Sequence, residues 1–491
     1  MRKWLRRRFQ GVSICLRPDL PSPPAHCLAL ISSPPVQAAA GFGILYDIMS
    51  QQEEVRVRFA PSPTGKVHIG NIRAAIYNWL FARHVGGKFL LRVEDTDLER
   101  STPEAIEALF DCMKWLGLDW DEEVFYQTKN VARHLEVVEQ LLATGHAYKV
   151  EKTSRDGKTG VVTMFRMPKE GVIEYDDIVK GHMAKKAEDV QDFAIVRSDG
   201  SPIFHIANVV DDIDQRVTHI IRGDDHVENT FKHICIFRAL GAKVPKYAHL
   251  SMIVNQQGKP YSKRDGAAFV GEFRDQGYIP DALFNYLLLL GWNPGDDREV
   301  LSRAEMVRLF ELEKVHVTAA MFDLRKLQWM NGEYVKRMPR AEFEAELRKR
   351  VEAAGLAVPT GFDMAFLADQ MQVRTKFLRD IPANVEYFFT DDYPVDAKAV
   401  EKRLRKEGVN VKETLLDLSE RFAAVPEGEW KAPRLEALVK ELSQGNGMGP
   451  WVHPVRVAVS GRMEGPGLFE MLELLGRERT LARIAKAAAS L

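Results

Sequence analysis

The chain has 491 residues, of which 45% are hydrophobic, and its formal net charge is -1. That length accommodates roughly two to four domains, each able to bury a core. A charge so close to zero excludes a protein that is basic all over, so any nucleic-acid partner must be held by local basic patches. The cysteines are Cys15, Cys27, Cys112 and Cys235, none within metal-clip spacing of another. A disulfide framework and a zinc site are therefore not expected, and the usage fits a cytoplasmic protein.

The N-terminal stretch "MRKWLRRRFQGVSICLRPDLPSPPAHCLALISSPPVQAAAG" is Arg-rich, then Pro/Ser/Ala-rich, with no acid before Asp19. Residues 1–52 are expected to be a disordered extension or an overlong start, with Met49 the natural first residue. A targeting segment is the other reading, although prolines and polar residues keep interrupting its apolar residues. No stretch reaches the ~18 apolar residues of a membrane span, so no membrane partner is expected.

From Val55 the pattern becomes globular. "VRVRFA" alternates as a strand, and "FLLRVED" (Phe89–Asp95) reads as a second, buried strand. Between them Ile72, Ala75, Ile76, Trp79 and Leu80 recur at helical spacing. Strand, Gly-rich turn, helix and strand predict a βαβ unit and a parallel sheet. A second set follows: "THIIRGDD" as a strand, "HVENTFKHICIFRALG" as a helix and "HLSMIV" as a strand. The polar, Gly/Lys-rich sequence of residues 134–203 reads as an insertion into one nucleotide-binding fold. From about Phe273 the pattern is helical, as in "PDALFNYLLLLGW", "RAEMVRLF" and "FDLRKLQWMNGEYV", and the last third is helical and densely charged. "GNGMGPWVHPVRVAVSGR" holds the only apolar alternation there and is expected to be a buried loop or a short strand.

Three constellations carry chemistry. "RFAPSPTGKVHIGN" runs from a strand through a tight turn into a helix, whose N-terminus offers unpaired N–H groups and positive dipole to a phosphate. Gly65 and Gly70 allow close approach, and His68 stands just ahead of the helix. A lone His-x-Gly reads first as a structural turn with a capping histidine. "GKPYSKRDG" places Lys259, Lys263 and Arg264 beside Ser262 in a Gly-flanked loop, able to stabilise a departing pyrophosphate or simply to be a solvated turn. "LRVEDTD" puts Glu94, Asp95 and Asp97 at the carboxyl end of a strand, where open α/β sheets bind ligands. Glu94 could hold an ammonium group, whereas Asp95 and Asp97 read as caps and salt-bridge partners.

Together these segments resemble the class I aminoacyl-tRNA synthetases, and among them the glutamyl-tRNA synthetases. "RFAPSPTG", "GGKFLLRVEDTDLERSTPEAIEAL", "HIANVVDDID", "THIIRGDDH" and "FDLRKLQWMN" are all similar to segments of that family. The resemblance runs from Val55 to the C-terminus and is most specific through Asn331. It implies an α/β fold, with a Rossmann-type catalytic domain in two halves (53–133 and 204–272) and an inserted acceptor-stem-binding module (134–203). A stem-contact helical domain (273–335) and a helical anticodon-binding domain (336–491) would follow.

The resemblance also implies a reaction. L-glutamate is activated with ATP and Mg²⁺ to glutamyl-adenylate, and glutamate is then moved to tRNA(Glu). The family's first motif matches Val67–Asn71, implying that Thr64, Gly65, His68, Gly70 and Asn71 meet ATP. The second matches Pro260–Arg264, implying that Ser262, Lys263 and Arg264 act in catalysis together with His68 and Gly70, with Lys263 on the phosphates. Arg58, Ala60, Ser62, Glu94, Phe204, Asn208 and Arg222 match the amino-acid pocket. Glu94 would pair with the substrate ammonium, and Arg58 and Arg222 would fork onto carboxylates.

This sequence departs from the family pattern at several points. Asn71 stands for the final histidine of the first motif, Pro260 for the first lysine of the second, and Phe204 where relatives can have tyrosine. The insert lacks the cysteine cluster that binds zinc in some relatives, so no zinc is expected. A monomer is expected. A glutaminyl enzyme of the same class usually carries Pro-Glu-Pro in place of "APSPTG". A glutamyl transferase acting on a tRNA base would lack residues 336–491. A non-catalytic RNA-binding relative would not need His68, Lys263, Glu94 and Arg222 together.

Overall fold

The computed structural model describes residues 8–9, 12–13, 53–63, 65–97, 100–153, 159–405, 410–444 and 447–491. The reading of residues 1–52 as an extension therefore falls largely outside the described residues, as does Thr64. Arg8–Phe9 and Val12–Ser13 pair as a short antiparallel ladder in a unit of its own, and Val55–Leu491 forms the other unit.

Within the larger unit, strand β1 (Arg56–Phe59) leads into helix α1 (Ile69–Val85), which returns to β2 (Lys88–Val93). Helix α2 (Pro103–Trp115), capped by Thr102, then crosses to β3 (Phe125–Tyr126). All pairings among these strands are parallel. Leftward of β1, Thr218 donates its N–H to the Arg56 carbonyl and brings in β9 (His219–Gly223). Strand β9 pairs in parallel with β10 (Lys246–Leu250), and helix α5 (Val227–Ala239) connects them. The expected Rossmann-type sheet is present, with β1 between β9 and β2.

The insert has a division that periodicity did not show. After helix α3 (Val131–Ala143), strands β4 (Ala147–Thr153), β5 (Thr159–Phe165) and β8 (Phe193–Val196) make a separate antiparallel sheet. The hairpin between them, β6 (Val172–Asp177) and β7 (Gly181–Lys186), instead extends the catalytic sheet beyond β10, with Asp177 opposite Tyr247. Helix α4 (Phe204–Asp214) follows β8 and packs against α3 and α5.

One apolar core joins β1, β2 and α1 to the helices between Val270 and Met330. Ile72, Ala75, Ile76, Trp79 and Leu80 all lie in it, as their spacing predicted. A second core gathers the insert with α4, α5 and β9, and a third holds the helices from Val335 to Ala488.

The expectation of a loop or strand around "PVRVAVSG" is corrected. Gly449–Ser460 is an α-helix that contains Pro454 and ends on Gly461 at φ 70°. Pro454, Val455, Val457, Ala458, Val459 and Ser460 are all buried, so this helix lacks the one-sided apolar stripe that reveals an amphipathic helix. Among the described residues no helix is long and apolar enough to cross a membrane.

Candidate active site

The carboxyl ends of β1, β2, β9 and β10 open into a cavity of about 690 Å³. All seven residues expected to recognise the amino acid line it: Arg58, Ala60, Ser62, Glu94, Phe204, Asn208 and Arg222. They arrive from separate elements. Arg58 lies in β1, Ala60 and Ser62 in the turn after it, and Glu94 just past β2. Phe204 and Asn208 belong to α4, and Arg222 to β9. Glu94 donates its N–H to the Pro61 carbonyl at 3.0 Å, which ties the turn to the end of β2.

A lattice of buried charge holds these groups. Arg58 Nε donates to Asp212 Oδ1 at 2.9 Å, so this guanidinium is already committed to a carboxylate of the protein. Its Nη2 stands 3.5 Å from Asp212 Oδ2, and the residue also lines the cavity. Burial opposes the Asp212 charge, but Arg58 and Arg92 outweigh it and hold the pKa below the usual carboxylate range. Arg92, fully buried, donates Nη1 to Asp212 Oδ1 and Nη2 to Asn208 Oδ1, both at 2.7 Å. A guanidinium only donates, so the Arg92 contact fixes which end of the Asn208 amide is oxygen. Asn208 Nδ2 is buried with no hydrogen bond of ordinary geometry, and it faces the Glu94 carboxylate, whose charge it favours. Burial raises the pKa of Glu94, with Arg92 and Arg58 opposing, so an incoming cation would complete its environment.

Arg222 is held differently. It is buried, yet its partners are neutral: His249 Nε2 at 3.3 Å from Nε, and Thr230 Oγ1 and the His226 carbonyl at 2.7 and 3.4 Å from Nη2. Burial lowers its pKa. A desolvated cation with no carboxylate beside it favours an anionic ligand. Phe204 covers the neighbouring histidines, its ring 5.6 Å from those of both His226 and His233. Burial, then the charge of Arg222, lowers the His226 pKa to about 4 and keeps that ring neutral.

At the mouth of α1, the expectation of unpaired amides is corrected. His68 Nδ1 accepts the Gly70 N–H at 3.1 Å, and the Ala268 carbonyl accepts the Ile69 N–H at 2.9 Å. The Asn71 and Ile72 amides both reach the His68 carbonyl. A buried helix end cannot leave its donors bare, and the chain after the second motif supplies an acceptor. Gly70 has a steric reason: a Cβ there would sit 3.2 Å from His68 Nδ1. His68 is thus the capping residue that the local reading anticipated, and it also lines the cavity with Gly70 and Asn71. Burial lowers its pKa, while a hydrogen bond from the ring to the Tyr261 backbone carbonyl acts the other way.

The second motif meets the first through backbone. Val270 donates to the Val67 carbonyl at 3.0 Å, and the Phe269 ring stands edge-on to His68. Pro260 and Tyr261 line the cavity, whereas Ser262, Lys263 and Arg264 lie outside it, as does Gly65. Asp265 staples the loop, accepting from the Ser262 N–H and Oγ and from Asn255 Nδ2. Lys259, Lys263 and Arg264 are exposed, and none is in an ion pair among the described residues.

Asp95 and Asp97 are structural, as read: Asp95 caps Thr128 and Asp97 holds Arg100. Sequence reasoning missed Arg92, Asp212, Arg73, Thr230 and His249. Arg73 lines the cavity and donates to the Leu290 and Ser251 carbonyls. Charged residues inside buried strands and helices were the available signal, but the hydrogen-bond partners of Arg92 are 116 to 123 residues away.

Comparison with known proteins agrees with this geometry. The family profile "tRNA synthetases class I (E and Q), catalytic domain" matches residues 54–159 and 149–329, and "Anticodon binding domain" matches 306–488. A glutamate–tRNA ligase of Francisella philomiragia is 40% identical over 465 residues, covering 88% of this chain and 98% of the relative. One from Francisella tularensis subsp. novicida is 39% identical over the same length and shares. The crystal structure of a glutamate tRNA ligase from Elizabethkingia meningosepticum in complex with its amino acid superposes with a TM-score of 0.81 at 29% identity, covering 89% of this chain and all of that one. The glutamate-tRNA synthetase of Elizabethkingia anophelis gives a TM-score of 0.78, with the same identity and shares. With the nucleotide fold, the charged cavity and the helical C-terminal region agreeing, the chain belongs to the glutamate–tRNA ligases, class I aminoacyl-tRNA synthetases.

Proposed function

We propose that the cavity binds L-glutamate beside ATP and activates it for transfer to tRNA(Glu). One carboxylate of glutamate meets Arg222, its ammonium meets Glu94, and a carboxylate oxygen accepts from Asn208 Nδ2. The observation that carries this reading is a buried guanidinium with only neutral partners, lining the same cavity as the buried Glu94 carboxylate.

A glutamate α-carboxylate oxygen attacks the α-phosphorus of ATP, the bond to the bridging oxygen breaks, and pyrophosphate leaves. A hydroxyl of the terminal tRNA adenosine then attacks the acyl carbon, and AMP departs. Neither step needs a protein nucleophile; orientation and charge neutralisation suffice. His68, Gly70 and Asn71 would meet the nucleotide at the mouth of α1, with Mg²⁺ arriving as part of the MgATP substrate. Lys263, Arg264 and Ser262 would engage the phosphates once the second-motif loop closes on them.

An RNA partner is supported by a second concavity, about 1140 Å³, in which Arg325, Lys336, Arg374, Lys376 and Arg462 outnumber Glu333, Asp396 and Glu464 around Trp329. Local basic groups with an exposed aromatic ring suit a nucleic acid on a chain of near-zero net charge. Purified protein is expected to charge tRNA(Glu) with glutamate in an ATP- and Mg²⁺-dependent reaction. Charging should be assayed in parallel on tRNA(Gln), and absence of glutamate transfer to either tRNA would overturn the reading.

A further inference from the structure

Behind Arg222 lies a chain of buried groups that touches no cavity surface. Asp177 Oδ2 is 2.6 Å from His249 Nδ1, and both side chains are fully buried. On its other side the His249 ring offers Nε2 to Arg222 Nε at 3.3 Å and to Thr230 Oγ1 at 3.0 Å. Thr230 Oγ1 in turn accepts from Arg222 Nη2.

The chemistry of the donors settles the proton. Arginine cannot accept a hydrogen bond, so His249 Nε2 must present a lone pair to it. The imidazole proton then sits on Nδ1 and points at the Asp177 carboxylate, which holds the ring in that tautomer. Burial lowers the pKa of His249 despite the adjacent carboxylate, which agrees with a neutral ring. Asp177 is itself anchored, its Oδ1 accepting from the Val179, Lys180 and His249 amides.

We propose that Asp177 and His249 are positioning residues for amino-acid recognition. Through the tautomer of His249 they aim the Arg222 guanidinium, leaving Nη1 for a substrate carboxylate. The placement of Asp177 gives this a structural corollary. Asp177 ends β6, in the hairpin that the insert contributes to the catalytic sheet, so the insert takes part in shaping the amino-acid pocket. The carboxylate also supplies negative charge two links from Arg222. The cation is thereby tolerated inside the protein without a direct ion pair to compete with the ligand.

The inference rests on the proposed glutamate site and is tested by steady-state aminoacylation with the full-length protein, varying glutamate and ATP separately. Asp177→Ala and His249→Ala are each expected to raise the glutamate KM about tenfold or more, with the ATP KM within about twofold of wild type. The double variant should be no worse than either single one, because both act through the same guanidinium. His249→Gln, whose side-chain oxygen can accept from Arg222, should recover part of what His249→Ala loses. His249→Gln also serves if the Asp177 variant does not fold. An unchanged glutamate KM in folded single variants, equal rises for glutamate and ATP, or multiplicative effects in the double variant would each overturn the proposal. A wild-type enzyme that charges no tRNA would instead overturn the proposed function itself.

Discussion

The two halves of the site are built on opposite principles. The amino-acid half is a buried lattice in which Arg58, Arg92, Asp212, Asn208 and Glu94 hold one another before any ligand arrives. The second-motif half is an exposed loop, kept in shape by Asp265, whose cations Lys259, Lys263 and Arg264 have no carboxylate partner among the described residues. Selecting a small zwitterion demands fixed donors and acceptors in a low dielectric, where each mismatch is costly. Neutralising a triphosphate demands charge that can move with a reacting group, and solvated lysines bear little cost while waiting.

The most severe way to break this contrast is to remove the shared anion. Asp212→Ala leaves Arg58 and Arg92 buried without their carboxylate and is expected to destabilise the protein by about 3–5 kcal/mol. Denaturant unfolding measures this, and a loss below about 1 kcal/mol would contradict a lattice held by charge. Lys263→Ala should act the other way round. The transition state is expected to lose about 2–4 kcal/mol, read in the rate of adenylate formation, while the unfolding midpoint stays put. Equal kcat in the variant would remove Lys263 from the mechanism.

Acid should separate the halves next. Burial lowers the pKa of both His205 and His226 to about 4, and both rings are neutral in the fold. The unfolded chain takes up their protons near pH 6.5, so their contribution to stability is complete above that pH and fades as pH falls toward 4. Allowing for partial exposure, about 1 kcal/mol per histidine should disappear across that window. A flat stability profile between pH 7 and 4.5 would refute it. The smallest effect is expected from Asp265→Ala, which frees Ser262 and Asn255. Stability should fall by less than about 1 kcal/mol at this exposed site, while the ATP KM rises several-fold. An unchanged ATP KM would show that the loop needs no staple.

Much of this was legible along the chain because it is local. The turn between β1 and α1, the apolar face of α1 and the glycine-bounded second motif each depend on neighbours within a few residues. His68 as an N-cap belongs to the same class, as does Asp97, which holds Arg100 three residues on. The pairing of Arg92 with Asp212 was not legible, since nothing in "LRVEDTD" says that its arginine turns inward to a helix far along the chain. Asp177 was equally silent. Its hairpin read as part of a polar insert, and only its pairing opposite Tyr247 brings it to His249. The helix Gly449–Ser460 escaped because burial on nearly every side erases periodicity.

By itself, then, the sequence determined the βαβ units, the charged C-terminal helices and the two motifs that mark the nucleotide end, since short-range sterics and apolar spacing suffice for these. Tertiary structure alone decided which charges neutralise each other. That choice paired Arg58 with Asp212 and left Arg222 among neutral partners. Hydrogen-bond partners inside a low-dielectric core are set by what the folded chain brings within about 3 Å, and no spacing along the chain encodes that distance.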